Sequence, residues 1–277
     1  MARDQAPQDL RAVSEAWSSV ARGYHEYWSP RFRPLLVRAV EAFEPPPLGP
    51  LAVPGCGPGD EVLLLLEKFP LRTIVATDPS AEMVSFCRGA IRKAGAATAL
   101  CTLGRAEDLS STVHQAAGVF SSFTLQLLSD PSAALIDWST ALRLGGIATA
   151  IFWPRPSPES SFGLLASAIK KVAGEERPDW EPGALASLEK AGLALRRDER
   201  VHTTFEHGSP GELFGAIVDK GPLRALLDRR GSGVVDAVRA EWLRSLGTRA
   251  ATRPWKDPVE ARLWVLEKVA EPEGEAH

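Results

Sequence analysis

Apolar residues recur at three- and four-residue steps over residues 8–28. There Leu10, Val13, Ala16, Trp17, Val20 and Ala21 share one face, which predicts a helix. Tyr24, Tyr27 and Trp28 close that segment as an aromatic cluster. A second amphipathic helix is predicted over residues 32–43, ended by Pro45, Pro46 and Pro47. From Leu51 the period changes. Short apolar runs at 51–54, 73–77, 98–103, 118–123 and 147–153 predict five strands, with helical patterns at about 60–68, 80–94 and 132–142 between them. Gly145 and Gly146 are expected to stop the last of these helices. Strands alternating with helices imply an α/β fold with a mainly parallel sheet covered on both faces.

After Trp153 the pattern loosens. Pro154, Pro156 and Pro158 mark an extended connector. Helices are expected at about 162–172, 184–191, 211–218, 223–227 and 234–246, and strands at 193–205 and 262–269. No internal repeat or low-complexity domain is visible.

Composition changes the picture only by exclusion. The chain has 277 residues, 44% hydrophobic and 24% charged, enough to bury a sizeable core. A formal net charge of −3 gives no basis for nucleic acid as a partner. No apolar run approaches the roughly 18 residues of a membrane span. The N-terminus has no apolar core of a signal peptide, so the expected location is cytoplasmic. Cys56, Cys87 and Cys101 lack paired spacing, and no HExxH or histidine cluster is present. Neither a disulfide framework nor a metal site is expected.

The chemistry gathers around residues 51–86. Gly55, Gly57 and Gly59 lie between the first strand and its helix, where a backbone without Cβ atoms lets a ligand lie close. Asp78, at the end of the next strand, is placed to accept hydrogen bonds from a ribose diol, although Asp78-Pro79-Ser80 is also an ordinary helix entry. A dinucleotide fingerprint starting at Gly55 would need glycine at position 60, where this chain has Asp60. A carboxylate there repels a pyrophosphate. A cationic cofactor with a ribose, an adenosine and an amino-acid tail suits the site better, and S-adenosylmethionine is such a molecule.

The ordered runs VPGCGPGDE, VATDPSAEM, GRAEDL, FSSFTLQLLSDP and LRLGGIATAIFW resemble the class I S-adenosylmethionine-dependent methyltransferases, and most closely their small-molecule branch. The resemblance covers about residues 15–155 and the remainder in outline. It implies a Rossmann-like, seven-stranded, mostly parallel sheet flanked by helices, with an N-terminal helical lid and C-terminal cap helices. The corresponding divisions are a lid over residues 1–44, a cofactor-binding core over 45–155, the rest of the domain with cap helices and last strands over 156–269, and a disordered tail over 270–277.

The resemblance also assigns residues. Gly55, Cys56, Gly57 and Gly59 lie under the methionine part of the cofactor, and Asp78 binds the ribose hydroxyls. Met83 touches the adenine face, Ala106 and Glu107 belong to the loop that reads the adenine ring, and Ser122 stands beside the sulfonium. Tyr24, following Trp17 and Ala21, closes over the cofactor. Gln126 faces the substrate pocket, Trp153 is a candidate for its wall, and His25 is the histidine best placed to act as a base.

Two positions depart from the family. Val53 and the stretch around Ala117 replace acids that relatives use for the cofactor's amino group, leaving Glu61 or backbone carbonyls as substitutes. The expected activity is transfer of a methyl group to an oxygen, nitrogen or carbon of a small molecule, oxygen favoured, by a monomer or homodimer. The alternative is a module that keeps the fold but not the chemistry.

Overall fold

The computed structural model describes residues 6–272; the last five positions of the expected acidic tail lie outside the described residues. The chain runs α1 (Ala6–Ala42), β1 (Leu51–Pro54), α2 (Asp60–Lys68), β2 (Ile74–Asp78), α3 (Ala81–Lys93), β3 (Ala99–Leu103), β4 (Ala116–Ser122), α4 (Pro131–Ala141) and β5 (Leu142–Phe152). It continues through α5 (Ser161–Ala173), α6 (Glu181–Ser187), β6 (Leu193–His207), α7 (Pro210–Asp219), α8 (Arg224–Arg230), α9 (Ser232–Leu246) and β7 (Trp255–Lys268). The seven strands form one sheet in the order β3-β2-β1-β4-β5-β7-β6. The pairings from β3 across to β5 are parallel, and β7 is antiparallel to β5. This is the Rossmann-like sheet that the alternating pattern and the resemblance predict.

The described chain divides into two compact units. One, here the sheet unit, comprises Phe32–Pro154, Trp180–Val201 and the segment from Ala261 onward. Its core packs Ala52, Val119, Leu135, Trp138, Ala148, Phe152 and Trp264, all at most 1% exposed. The strands β1 and β4 are buried at every position, as a parallel sheet covered on both faces requires. The other, the helical unit, comprises the segment ending at Arg31 with Arg155–Asp179 and His202–Glu260. In it the Phe214 and Trp242 rings meet at a tilt, 5.7 Å apart, and the Trp242 indole N–H donates to the Ser161 carbonyl.

Two local expectations are corrected. The predicted pair of N-terminal helices is one helix, α1, which runs through Pro30 and Pro34. Each proline removes one amide donor, but Trp28 and Phe32 on either side of Pro30 are both buried, and the Arg31 guanidinium donates to the Tyr27 carbonyl beside the break. Gly145 and Gly146 do not stop α4, which ends at Ala141. They lie within β5, where the β4–β5 register shifts between Ala116 and Gly118. Gly145 takes φ 74°, and a Cβ on Gly146 would come 2.8 Å from the Arg143 carbonyl, so the glycines build a bulge.

Candidate cofactor site

The site forms at the C-terminal ends of β1, β2 and β4, within the sheet unit. The turn after β1 is held from below by Gly55 and Cys56, whose amides donate to the Thr77 carbonyl at 2.8 and 3.0 Å. Each glycine of the turn has positive φ, but the three need it for different reasons. A Cβ on Gly55 would meet the Thr124 hydroxyl at 2.4 Å, so Gly55 lets the loop after β4 close over the turn. One on Gly59 would lie 2.9 Å from the Cys87 sulfur and 3.1 Å from its Cα, so Gly59 lets α2 pack against α3. Around Gly57 a Cβ would meet nothing within 4 Å. That open space over a bare backbone is a cradle a ligand can fill.

Asp78 faces this turn. Its carboxylate accepts from the Gly57 amide on one oxygen and the Ser80 amide on the other, both at 2.9 Å. A carboxylate has about four lone-pair sites, so two remain for a diol. Burial raises the Asp78 pKa to about 6, against the pull of those two amides. Ser80 caps α3 through the Met83 amide at 3.2 Å, which fixes buried Met83 next to the Asp78 corner. The Gly104 amide donates to the Asp78 carbonyl at 3.2 Å and so joins the loop after β3 to the same corner.

That loop carries Ala106 and Glu107 on a 3-10 turn, Ala106–Asp108. It is pinned from α4: the Trp138 indole donates to the Ala106 carbonyl at 2.7 Å, and the Asp137 carboxylate takes the amides of Leu109 and Ser110 and the Ser110 hydroxyl. Asp137 and Trp138 were not among the residues singled out from sequence. Asp137, the one charged residue of α4, was the available signal.

At the end of β4, the Ser122 hydroxyl donates to Glu61 Oε1 at 2.6 Å, with Glu61 only 4% exposed. Desolvation raises the Glu61 pKa to about 8, with Asp60 and Asp78 adding to it and Ser122 opposing. Val53 and Ala117 are fully buried in their strands. Beneath the turn, the sulfurs of Cys56, Cys87 and Cys101 lie within 4.8 Å of one another, a convergence their sequence spacing did not announce. Hydrogen bonding among the thiols raises the pKa of Cys56 and lowers that of Cys101.

The structure thus brings together Gly55, Cys56, Gly57, Gly59, Asp78, Met83, Ala106, Glu107 and Ser122 on adjoining turns of one unit. Gln126 and Trp153 lie in that unit too. Gln126 donates to the Phe123 carbonyl, and Trp153 stacks on Phe123 at 4.5 Å and meets Phe32 edge-on at 5.4 Å. Tyr24 and His25 lie on the part of α1 that belongs to the helical unit, where Tyr24 is edge-on to Trp17 and His25 is exposed.

With this geometry in hand, comparison with known proteins gives a consistent class. Residues 54–146 match the sequence model of a family described as a methyltransferase domain. A curated trans-aconitate 2-methyltransferase from Azoarcus sp. (strain BH72) is 33% identical over 171 residues, covering 60% of this chain and 63% of that protein. The match therefore spans less than two thirds of the relative's length. A putative methyltransferase from Bacillus halodurans C-125 superposes with a TM-score of 0.62 at 16% identity, covering 85% of this chain and 99% of that one. Geranyl diphosphate C-methyltransferase from Streptomyces coelicolor A3(2), solved with Mg2+, geranyl diphosphate and S-adenosyl-L-homocysteine, superposes at 0.51 with 13% identity, covering 86% and 80%. The fold is shared with these methyltransferase structures, and residues 54–146, which contain the turn and Asp78 just described, match a methyltransferase domain.

Proposed function

We propose that the protein binds S-adenosylmethionine at the turn of residues 55–59 and transfers its methyl group to a small-molecule acceptor by in-line displacement. The observation that carries this reading is the open backbone at Gly57 beside a carboxylate, Asp78, that keeps acceptor capacity for a ribose diol. Residues 54–146, the span that matches a methyltransferase domain, include both.

The cofactor supplies, when bound, a methyl group already activated on a sulfonium. The protein's work is then positioning and exclusion of water. The turn of Gly55, Cys56, Gly57 and Gly59 is assigned to the methionine part, with the open space at Gly57, Asp78 accepts from the ribose, and Met83, Ala106 and Glu107 border the adenine. Ser122 sets the end of β4 next to the reacting centre. Gln126 and Trp153 are assigned to the acceptor side and Tyr24 to closure. A carboxylate or phenolate acceptor needs no base; for an alcohol, His25 is the candidate.

The name of the Azoarcus relative, a methyltransferase of trans-aconitate, supports an oxygen of a small carboxylic acid as the first acceptor to assay. A cytoplasmic monomer or homodimer is the working assignment for location and assembly. Among the described residues no helix is long and apolar enough to cross a membrane.

A second reading is a fold that binds the cofactor without transferring the methyl group, favoured by apolar Val53 and Ala117 where acids are expected. Calorimetry with S-adenosylmethionine and S-adenosylhomocysteine, followed by a methyl-transfer screen over small carboxylic acids, phenols and amines, separates the readings. Binding with turnover supports the enzyme, and binding without turnover on any acceptor supports the silent module. Failure to bind either compound sinks both.

A further inference from the structure

We infer that Glu61 is the anchor for the positively charged amino group of the cofactor's methionine tail, in place of the acid absent at Val53. This rests on the cofactor reading above and commits it to one residue.

Three observations carry it. Glu61 is the second residue of α2, directly behind the turn of residues 55–59, and its carboxyl is fixed at 2.6 Å by Ser122, the last residue of β4. It therefore reaches, from the helix, the site end of β4 beside the turn that follows Val53; Ala117 lies at the other end of that strand. Second, the group is buried with no cation to balance it. The charged and titratable groups around it are Asp60 on its own helix, Asp78 on β2 and Cys87 on α3, and none is basic. Among the described residues it makes no salt bridge. A buried carboxyl in acidic company is costly to ionise, and an apolar residue would fill the position at less cost. Third, Asp78, the other buried acid of the corner, already holds the Gly57 and Ser80 amides. Glu61 is the carboxyl left for an ammonium group, and Ser122 orients it.

The charge balance makes the role measurable. Burial holds the Glu61 carboxyl protonated at neutral pH, its pKa raised to about 8. An ammonium group placed against it favours the carboxylate, so binding expels the proton to solvent. Asp78, raised only to about 6, is already ionised for the most part at pH 7.

The test is calorimetry of S-adenosylhomocysteine binding at pH 7 in buffers of different ionisation enthalpy. Wild-type protein should release about one proton per ligand bound, falling toward zero above pH 9. Glu61→Gln should abolish the release and weaken S-adenosylhomocysteine by about tenfold or more. It should bind 5′-methylthioadenosine, which lacks the amino-acid tail, as wild type does. Ser122→Ala, which leaves the carboxyl in place, should keep the proton release.

Unchanged S-adenosylhomocysteine affinity, or undiminished proton release, in Glu61→Gln overturns the assignment. So does an equal loss for both ligands, which marks Glu61 and Ser122 as a structural tie alone. If wild-type protein binds none of these compounds, the cofactor reading itself falls and takes this inference with it.

Discussion

The sheet unit and the helical unit treat their buried ionisable groups differently. In the sheet unit, Asp78 accepts from two backbone amides, Asp137 from two amides and a hydroxyl, and all of these partners come from loops of the proposed cofactor corner. In the helical unit, His207 and Asp257 are each 2% exposed and each satisfied on one side only. The Tyr27 hydroxyl lies 2.6 Å from His207 Nδ1, the Ser161 hydroxyl donates to Asp257 Oδ1 at 2.5 Å, and among the described residues His207 Nε2 and Asp257 Oδ2 have no partner. Burial accordingly lowers the His207 pKa to about 4, so the imidazole is neutral at pH 7, and raises that of Asp257 to about 6. The lesson is that carboxylates shape nearby loops in one unit, while a tyrosine and a serine hydroxyl reach buried His207 and Asp257 from distant segments in the other.

The strongest break of this contrast is Asp78→Ala. It removes the grip on Gly57 and the proposed ribose acceptor at once. With hydrogen bonds to a charged group worth about 1.5–3 kcal/mol each, S-adenosylhomocysteine affinity should fall by at least about 100-fold in calorimetry. Retained affinity would remove Asp78 from the site.

Next, two glycines of one turn should fail in different ways. Gly59→Ala drives a Cβ into Cys87 at positive φ and should destabilise the protein by about 2–3 kcal/mol in urea unfolding. Gly57→Ala has open space and should cost only about 1 kcal/mol of stability, yet weaken cofactor binding by more than its folding cost. Equal stability losses would show that the turn is packed alike at both positions.

Tyr27→Phe should cost about 1–3 kcal/mol, because it strips the hydroxyl that serves both His207 and Glu212. Its readout is unfolding, measured alongside cofactor affinity. A smaller loss would mean that the buried contacts of the helical unit are loosely held.

The subtlest contrast is in the sign of pH dependence. Glu61 titrates near 4.5 when unfolded and near 8 when folded, so between those values the unfolded chain has lost a proton that the folded protein keeps. Its contribution therefore declines as pH rises from about 4.5 to 8, and Glu61→Gln should remove that decline. His207 has the opposite slope. Unfolded it gains a proton below about 6.5, folded only below about 4, so its contribution declines as pH falls through that window. Unfolding free energies of wild type, Glu61→Gln and His207→Gln at pH 5, 6.5 and 8 resolve the two slopes.

What was readable in the sequence follows from how far apart the partners are. The parallel core was legible because each strand and helix carries its own period, and Asp78 and the glycines because turn and strand end lie close together in the chain. The helix entry at Asp78-Pro79-Ser80 was likewise local, and Ser80 caps α3 there. By contrast, the sequence reads as two helices over 8–28 and 32–43, whereas α1 runs unbroken through Pro30 and Pro34 with buried side chains on both sides of Pro30. The bulge at Gly145 and Gly146 escaped for a similar reason: a glycine pair after a helix reads as a stop until the β4 partner is known.

The sequence by itself determined the order of strands and helices, the turn of residues 55–59 and the acid that faces it, because those depend on neighbours a few residues apart. Only the tertiary structure decided which glycine leaves space and which permits packing, because that depends on Thr124 and Cys87 approaching from other elements. It also decided that Glu61 meets Ser122 across 61 positions and that three unspaced cysteines converge. Long-range pairs have no period to betray them. They are set by how the sheet stacks its ends, which no window along the chain contains.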